Sequence, residues 1–268
     1  SPLDGRYVKK TEELKKYLNE AAFFKYRLLV EIKYFIKLID IVPELNELRS
    51  KKDEISDKLY HVYNNFTDFT YKDIKKIEDI TNHDVKAVEY YMCNIFKFNG
   101  IQKYTPFIHF ALTSQDINST ANMYCFKKGI MKCIIPCIEV MMNDLIILCS
   151  DMKNNVMLSF THGQAAVPTT MGKEFSVFLY RLESQTIKLR NCDFTTKFGG
   201  AIGNFNAHKL AYPNIDWENF GDDFVEECFD LKREQCTTQI SNYDNLCNIL
   251  HILKIINNIV NDMNIDCW

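Results

Sequence analysis

Apolar residues three and four positions apart recur through most of this chain, and few residues interrupt the pattern. The 268 residues include only 9 glycines and 6 prolines, and the alternation typical of half-buried strands is hard to find. The sequence therefore predicts an all-α fold. One helix is predicted to begin at Thr11 and to continue until Pro43 stops it. The apolar seam from Ile249 to Cys267 predicts a helix that packs in a bundle.

Charge, cysteine usage and hydropathy narrow the cellular setting and the partners. The net charge of -3 gives no electrostatic case for nucleic acid, and the ten cysteines form no C-x-x-C pair, which favours a reducing, cytoplasmic compartment. The polar N-terminus predicts no secretory signal. The most apolar region, Cys133 to Cys149, is interrupted by polar residues and predicts no membrane span.

The stretch Ser159–Arg181 combines a histidine with the signals of a helix start. His162 and Gly163 predict an irregular turn, Pro168 suits a helix entrance, and the Thr169-Thr170 pair offers helix caps. A histidine exchanges protons near neutral pH, so His162 is a candidate for proton transfer. The alternative is a histidine that only caps a turn.

Polar turns interrupt the predicted helices at several other places. They are Asn82-His83-Asp84, His109 with Thr113-Ser114, Thr161 to Gln164, and Asn204 to His208. The adjacent His83 and Asp84 would project differently from a helix start, so no metal site is predicted. The glycine-rich loop from Lys197 to His208 resembles a dinucleotide fingerprint only superficially, because no strand precedes it.

The same segments, taken in order, carry a family resemblance. SPLDGRY, TNHDVKAVEYY, IHFALTSQDIN, THGQAAVPTTMGKE and GGAIGNFNAH together resemble the adenylosuccinate lyases of the fumarase/aspartase superfamily, from Ser1 almost to Trp268. The resemblance implies an N-terminal helical domain, residues 1–110, and a central helical bundle, residues 111–268, shared in a homotetramer. It also implies anti β-elimination of fumarate, without a cofactor, from adenylosuccinate to give AMP and from SAICAR to give AICAR.

The resemblance also implies roles for individual residues. His162 matches the general acid of the family, and Arg6 with Tyr7 matches the pair that binds the phosphate side of the substrate. Thr113 and Ser114 match the donors that hold the succinyl part, at a helix N-terminus suited to anions.

The remaining implied contacts lie on other turns. The nucleotide-contacting turn corresponds to Asn82, His83 and Asp84. One further substrate contact corresponds to Gln239. Three residues are expected to support the site, namely His109, Thr161 and Gln164. Direct contact by Asn204, Asn206 or His208 stays open.

One expected segment does not occur in these 268 residues. The serine-bearing loop that supplies the base in the family, a GSSxMPxKxNP stretch, is not found, so the chain by itself is expected to be inactive. Two alternatives to the purine lyase stay open at this point. The chain could belong to another lyase of the superfamily, or to a non-catalytic helical scaffold with the same fold.

Overall fold

The computed structural model describes residues 5–268, and helices dominate them. The first four residues, which begin the SPLDGRY motif, lie outside this range. The α-helices are α1 Glu12–Lys15, α2 Glu20–Ile41, α3 Asn46–Arg49, α4 Lys52–Asn64, α5 Asp68–Thr81, α6 Asp84–Phe98, α7 Ser114–Gly129, α8 Ile135–Asp151, α9 Met171–Arg190, α10 Asn206–Ala211, α11 Trp217–Phe229 and α12 Asp244–Cys267. The strands are β1 Val156–Thr161, β2 Gln164–Thr170, β3 Thr195–Thr196 and β4 Lys232–Arg233. The all-α prediction is confirmed.

These elements form two compact units. The first contains the chain up to Gly129 together with Phe194–Asn242, and the second contains Ile130–Asp193 together with Tyr243–Trp268. The predicted boundary near residue 110 concerns the domains of the family and stays a prediction. The two units follow a different grouping because residues 194–242 return to the first unit.

Helix α2 is the central element of the first unit. It is apolar on nearly every side and packs against α4, α5, α6 and α7, as a fully surrounded helix requires. The Asn19 side chain caps it by accepting a hydrogen bond from Ala22 N at 2.7 Å. The prediction of one helix beginning at Thr11 is therefore wrong, because the chain turns between α1 and Asn19 and a new helix begins there. The predicted end before Pro43 is correct.

The second unit is built around α9, which packs against α8 and α12. A π-helical turn, Ile130–Ile134, precedes α8, whose first turn contains Pro136. Gly172 allows the first turn of α9 to lie close to the chain at the end of α8, since a Cβ at this position would lie 2.7 Å from Lys153 N. The helix predicted from Ile249 to Cys267 is confirmed as part of α12, whose buried residues are Ile249, Ile256 and Ile259.

The continuous helical run Ser114–Asp151 is long and strongly apolar. Its most apolar 18-residue window has a mean hydropathy of 1.8, and 17% of that window is buried. By length and composition this run could cross a membrane, a test that core helices of soluble proteins also pass. The expectation of a chain without a membrane segment therefore stays a prediction.

The chain between α8 and α9 forms a hairpin that the sequence did not predict. Strands β1 and β2 pair antiparallel, and the Thr161–Gln164 pair closes the turn. Both central residues of this turn have positive φ, 50° at His162 and 72° at Gly163, as two-residue hairpin turns require. Pro168 lies in β2 and not at a helix entrance, so that expectation is wrong. The predicted threonine cap is confirmed, because Thr170 Oγ1 accepts from Lys173 N at 3.3 Å.

Candidate functional site

Two of the predicted polar turns meet in the first unit. His83 caps α6, and its Nδ1 accepts a hydrogen bond from Lys86 N at 3.2 Å, so its proton is on Nε2. That Nε2 lies 3.4 Å from Ser114 Oγ, at the start of α7. Asn82, in the left-handed region with φ 51°, reverses the chain between α5 and α6. The fold thus joins turns that are 31 residues apart in the sequence.

A buried arginine of α2 fixes the first of these turns. Arg27 Nη2 pairs with Asp84 Oδ2, and Arg27 Nε donates to Asn118 Oδ1 of α7 at 2.8 Å. The guanidinium also lies 3.9 Å from the centre of the Phe23 ring, a cation–π contact. Asp84 Oδ1 accepts from Val85 N, so both oxygens of this carboxylate are engaged within the protein. Its predicted contact with substrate stays a prediction.

A fully buried carboxylate fixes the second turn. Asp116 accepts hydrogen bonds from Thr113 N at 2.8 Å, Gly199 N at 2.8 Å and Gly200 N at 3.1 Å. It also pairs with Lys197 Nζ at 2.7 Å, and neither charged side chain reaches solvent. The start of α7 is therefore fastened to the glycine-rich loop. This pair was not predicted from the sequence, although an acidic residue three positions after Thr113 is a known capping signal.

The segment between Ile108 and Leu112 has unusual backbone conformations. His109 and Ala111 both have φ 57°, a region that costs non-glycine residues about 1–3 kcal/mol each. His109 donates to the buried Glu31 twice, from its backbone N at 3.2 Å and from Nδ1 at 2.6 Å. Burial by itself lowers the pKa of His109, but the charge and hydrogen bond of Glu31 and the charge of Glu89 outweigh it, and the pKa is raised.

The glycine-rich loop leads into a buried histidine. Tyr34 Oη donates to Phe110 O at 2.8 Å and accepts from His208 Nε2 at 3.0 Å. The other ring nitrogen, His208 Nδ1, is buried and has no partner among residues 5–268. Burial lowers the pKa of His208 to about 4, so the ring is neutral at physiological pH. Asn204 and Asn206 are exposed, whereas His208 is fully buried.

The side chains that hold these segments share one face of α2. Arg27, Glu31 and Tyr34 are spaced by four and three residues, so they lie in one row along the helix. We use the name polar cluster for the turn 82–84, the segment 109–114 and the loop 197–208 together with this row. This row was not predicted from the sequence, although three polar groups on a helix surrounded by apolar residues are a signal that each has a buried partner.

Several predicted residues lie away from these contacts. Among residues 5–268, no hydrogen bond or ion pair joins Arg6 or Tyr7 to His83 or Ser114, and the Arg6 guanidinium lies 5.5 Å from the Tyr7 ring centre. Gln239 is exposed in the loop before α12. His162, Thr161 and Gln164 are exposed in the hairpin of the second unit. In the part of the chain described, no group of three or more metal-ligating side chains forms a site.

Comparisons with known proteins identify the family to which this chain is related. The family model described as "Lyase" matches residues 5–268. The chain is 44% identical over 276 residues to the adenylosuccinate lyase of Dictyostelium discoideum and 42% identical over 271 residues to that of Legionella pneumophila (strain Corby). In both cases all of this chain is covered, but only 59% of the relative.

Solved structures with the same fold are more distant in sequence. The β-carboxy-cis,cis-muconate cycloisomerase of Acinetobacter calcoaceticus matches with a TM-score of 0.75 at 16% identity, covering 95% of this chain and 56% of that one. The fumarate lyase of Mesorhizobium sp. BNC1 matches with a TM-score of 0.74 at 17% identity, covering 96% of this chain and 56% of that one. At such low identity, these matches establish the fold alone. With a family model that spans nearly all of its residues, the chain belongs to the lyase family.

Proposed function

We propose that the complete protein containing this chain eliminates fumarate from adenylosuccinate, giving AMP, and from SAICAR, giving AICAR. The contact between the NHD turn and the TSQD turn, His83 Nε2 to Ser114 Oγ at 3.4 Å, is the observation that carries this proposal. It supports a single site assembled from the motifs that resemble adenylosuccinate lyases. The relatives at 44% and 42% identity bear that enzyme name.

The elimination sets clear chemical requirements. A base removes a proton from Cβ of the succinyl group, the C–N bond breaks as the C=C bond of fumarate forms, and an acid protonates the departing nitrogen. We assign the acid role to His162, because it is exposed at a hairpin turn and no hydrogen bond of the described residues occupies its ring. No cofactor takes part in this scheme.

Thr113 and Ser114 are proposed to hold the succinyl carboxylates. They begin a 16-residue helix, α7, whose free N–H groups and dipole favour an anion. Asp116 already satisfies Thr113 N, so the Ser114 hydroxyl and the next N–H groups are the donors left for substrate. Thr161 and Gln164 are proposed to support His162 from the ends of the two hairpin strands.

The nucleotide part is proposed to bind the remaining assigned residues. Arg6 suits a phosphate, since a guanidinium makes bidentate contacts to phosphate oxygens, and Tyr7 lies beside it. Asn82, His83 and Asp84 would contact the nucleotide from the turn that Arg27 anchors. Gln239 is proposed as a further contact.

A homotetramer in the cytoplasm is the proposed form of the complete protein. The second unit exposes several large apolar side chains of α8 and α9, such as Val140 (61%), Ile147 (61%) and Tyr180 (72%). Other copies of the chain would cover these side chains in a shared helical bundle, with active sites built from several subunits. Light scattering of the purified complete protein tests this, and a stable monomer would contradict it.

Fumarate release from adenylosuccinate tests the activity directly. We expect Ser114→Ala to weaken substrate binding or turnover on the order of 10-fold or more, because it removes one charge-assisted hydrogen bond. Ser176→Ala is the matched control, since Ser176 Oγ is exposed and, among residues 5–268, donates to Lys173 O of its own helix. Release from a different succinyl compound alone would favour another lyase of the superfamily. Absence of any release would favour a non-catalytic scaffold.

A further inference from the structure

One buried carboxylate near the proposed site has no role in the elimination described above. The Glu31 side chain is completely buried in α2, and among the residues described, 5–268, the hydrogen bonds it accepts come from one residue, His109. One oxygen accepts from the His109 backbone N at 3.2 Å and the other from ring Nδ1 at 2.6 Å. A buried carboxylate is costly unless it is paired and hydrogen-bonded, so this two-point contact needs an explanation.

The contact decides which ring nitrogen of His109 can reach a ligand. Because a carboxylate only accepts, Nδ1 must carry a proton and is fully engaged by Glu31. Nε2 lies 3.8 Å from Glu89 Oε1, beyond hydrogen-bond distance. The other oxygen of Glu89 accepts from Lys86 Nζ at 2.6 Å. The charged groups around the ring are thus Glu31 from α2 and both Glu89 and Lys86 from α6.

The same contact fixes an unfavourable backbone. The left-handed conformations of His109 and Ala111 turn the chain just before Thr113 and the start of α7. Glu31 holds the first of these residues, and Tyr34, one turn further along α2, holds the intervening Phe110 O at 2.8 Å. Strained backbone persists only where neighbouring groups determine it, and such strain gathers at functional sites.

We propose that Glu31 is a positioning residue that locks the ring and backbone of His109, leaving Nε2 as the only ring atom that His109 can offer to substrate. The identity of that substrate rests on the proposed function, whereas the orientation of the ring does not. Glu31 acts entirely through His109, since its own oxygens are buried and engaged.

Histidine 15N NMR of the chain tests the orientation without any substrate. The chain has six histidines, and His109→Asn assigns the signal. We expect the neutral form of His109 to carry its proton on Nδ1, the less common tautomer, and the ring to titrate at higher pH than free histidine. Glu31→Gln should lower the pH of that transition by about 1–3 units, the usual effect of losing an adjacent opposite charge. Glu227→Gln is the control, because it removes a carboxylate of α11 that pairs with Lys37 of α2. It should leave the His109 transition unchanged.

The wild-type spectrum by itself reports which ring nitrogen of His109 carries the proton, even if the glutamine variant fails to fold. A neutral His109 with its proton on Nε2 would overturn the proposal, and so would an identical titration in a folded Glu31→Gln variant. Glu31→Asp, which keeps the charge with a shorter reach, should restore part of the shift.

Kinetics of the complete protein then separate the two proposals. Glu31→Gln should lower kcat/KM for adenylosuccinate on the order of 10- to 100-fold, since misplacing a substrate-contacting group by about 1 Å has such effects. The pH dependence of kcat/KM should move in the direction seen by NMR. If wild-type protein shows the expected tautomer but no turnover of adenylosuccinate, the proposed function fails and the positioning by Glu31 stands. Unchanged kcat/KM in the variant overturns the positioning role.

Discussion

The polar cluster of the first unit and the hairpin of the second unit present their candidate residues in different ways. In the cluster, a buried side chain from the same unit holds each turn: Arg27 anchors Asp84, Glu31 anchors His109, and Asp116 anchors Thr113. In the hairpin, neither face is buried, and Phe160 exposes 66% of its surface beside His162.

The residues of the cluster are therefore held in place before substrate arrives, whereas His162 needs further support. A two-stranded hairpin is only marginally stable by itself. The backbone of α9 begins immediately after β2 and ties down one end, through Met171 N to Asn155 O at 2.9 Å. Within residues 5–268, no such tie holds the turn that carries His162. Substitutions of the buried anchors in the cluster should therefore affect stability as well as the site, whereas substitutions at the hairpin turn should affect mainly chemistry.

His162→Asn in the complete protein should show the largest effect on chemistry. Losing a general acid typically costs about 10²–10⁴ in turnover. Stability should hardly change, because His162 is exposed and asparagine tolerates the left-handed conformation that φ 50° requires. Single-turnover kinetics and thermal unfolding are the two measurements.

The control is His251→Asn, an exposed histidine of α12. Turnover of His162→Asn within a factor of about 3 of wild type would remove His162 from the acid role and would erase the contrast between the two regions.

Asp116→Asn should show the largest effect on stability. It leaves the fully buried Lys197 without a counter-charge, and breaking one partner of a buried pair costs about 3–5 kcal/mol of unfolding free energy. Asp262→Asn is the matched control in the second unit, where Asp262 pairs with Arg181 at a half-exposed site worth about 0–1 kcal/mol. Urea unfolding of both variants gives the comparison, and equal losses would contradict it.

The features that could be predicted from the sequence are those that follow a periodic pattern or a family motif. Helical spacing predicted the main helices because burial of one face follows the helix period, and the motifs predicted that the turns at His83 and Ser114 belong together. The hairpin was not predicted because its strands have no buried face and so lack the alternation of apolar and polar residues that marks a strand. Its strongest signal was the His162-Gly163 pair, which suits a two-residue turn.

The partners of the polar row of α2 could not be predicted, for a different reason. The partner of a buried polar group is decided by tertiary contacts with residues far away in sequence. Arg27 and Asp84 are 57 residues apart, and Glu31 and His109 are 78 apart. Sequence spacing shows that Arg27, Glu31 and Tyr34 share a face, but only the fold shows which turn each one holds.

The pH dependence of stability should reveal the buried histidine of the cluster. His208 binds its proton near pH 6.5 when unfolded but only near pH 4 when folded, so the unfolded state binds more protons between these values. Its stabilising contribution is complete above about pH 6.5 and is lost as the pH falls toward 4. Between pH 7 and pH 5 we expect a loss of about 2 kcal/mol from this group.

His208→Gln isolates this contribution. Urea unfolding of the variant at pH 7 and pH 5 should show a smaller difference than wild type by about that amount. His109 acts with the opposite sign, because its raised pKa gives stability at low pH that is lost as the pH rises through the folded value. An unchanged pH dependence in His208→Gln would place the acid sensitivity outside the cluster.

Two glycines in left-handed turns give the smallest and most discriminating test. Gly100, after α6 in the first unit, has φ 71°, and Gly163, at the hairpin turn, has φ 72°. A Cβ at either position would meet nothing within 4 Å. Alanine therefore introduces nearly the same backbone strain at both, about 1–2 kcal/mol, without a clash. Gly100 belongs to a helix end closed by the bond from Ile101 N to Phe96 O at 2.9 Å, so Gly100→Ala should lower the global free energy of unfolding by that amount.

Gly163→Ala should leave the global unfolding free energy nearly unchanged and instead speed amide hydrogen exchange within β1 and β2, because a weakly supported hairpin opens locally before the rest unfolds. Urea unfolding with exchange mass spectrometry measures both quantities on the same samples. Equal losses of global stability in the two variants would show that the hairpin unfolds together with the helices that flank it. His162 would then be held by its own unit as firmly as His83 and His109 are held by theirs.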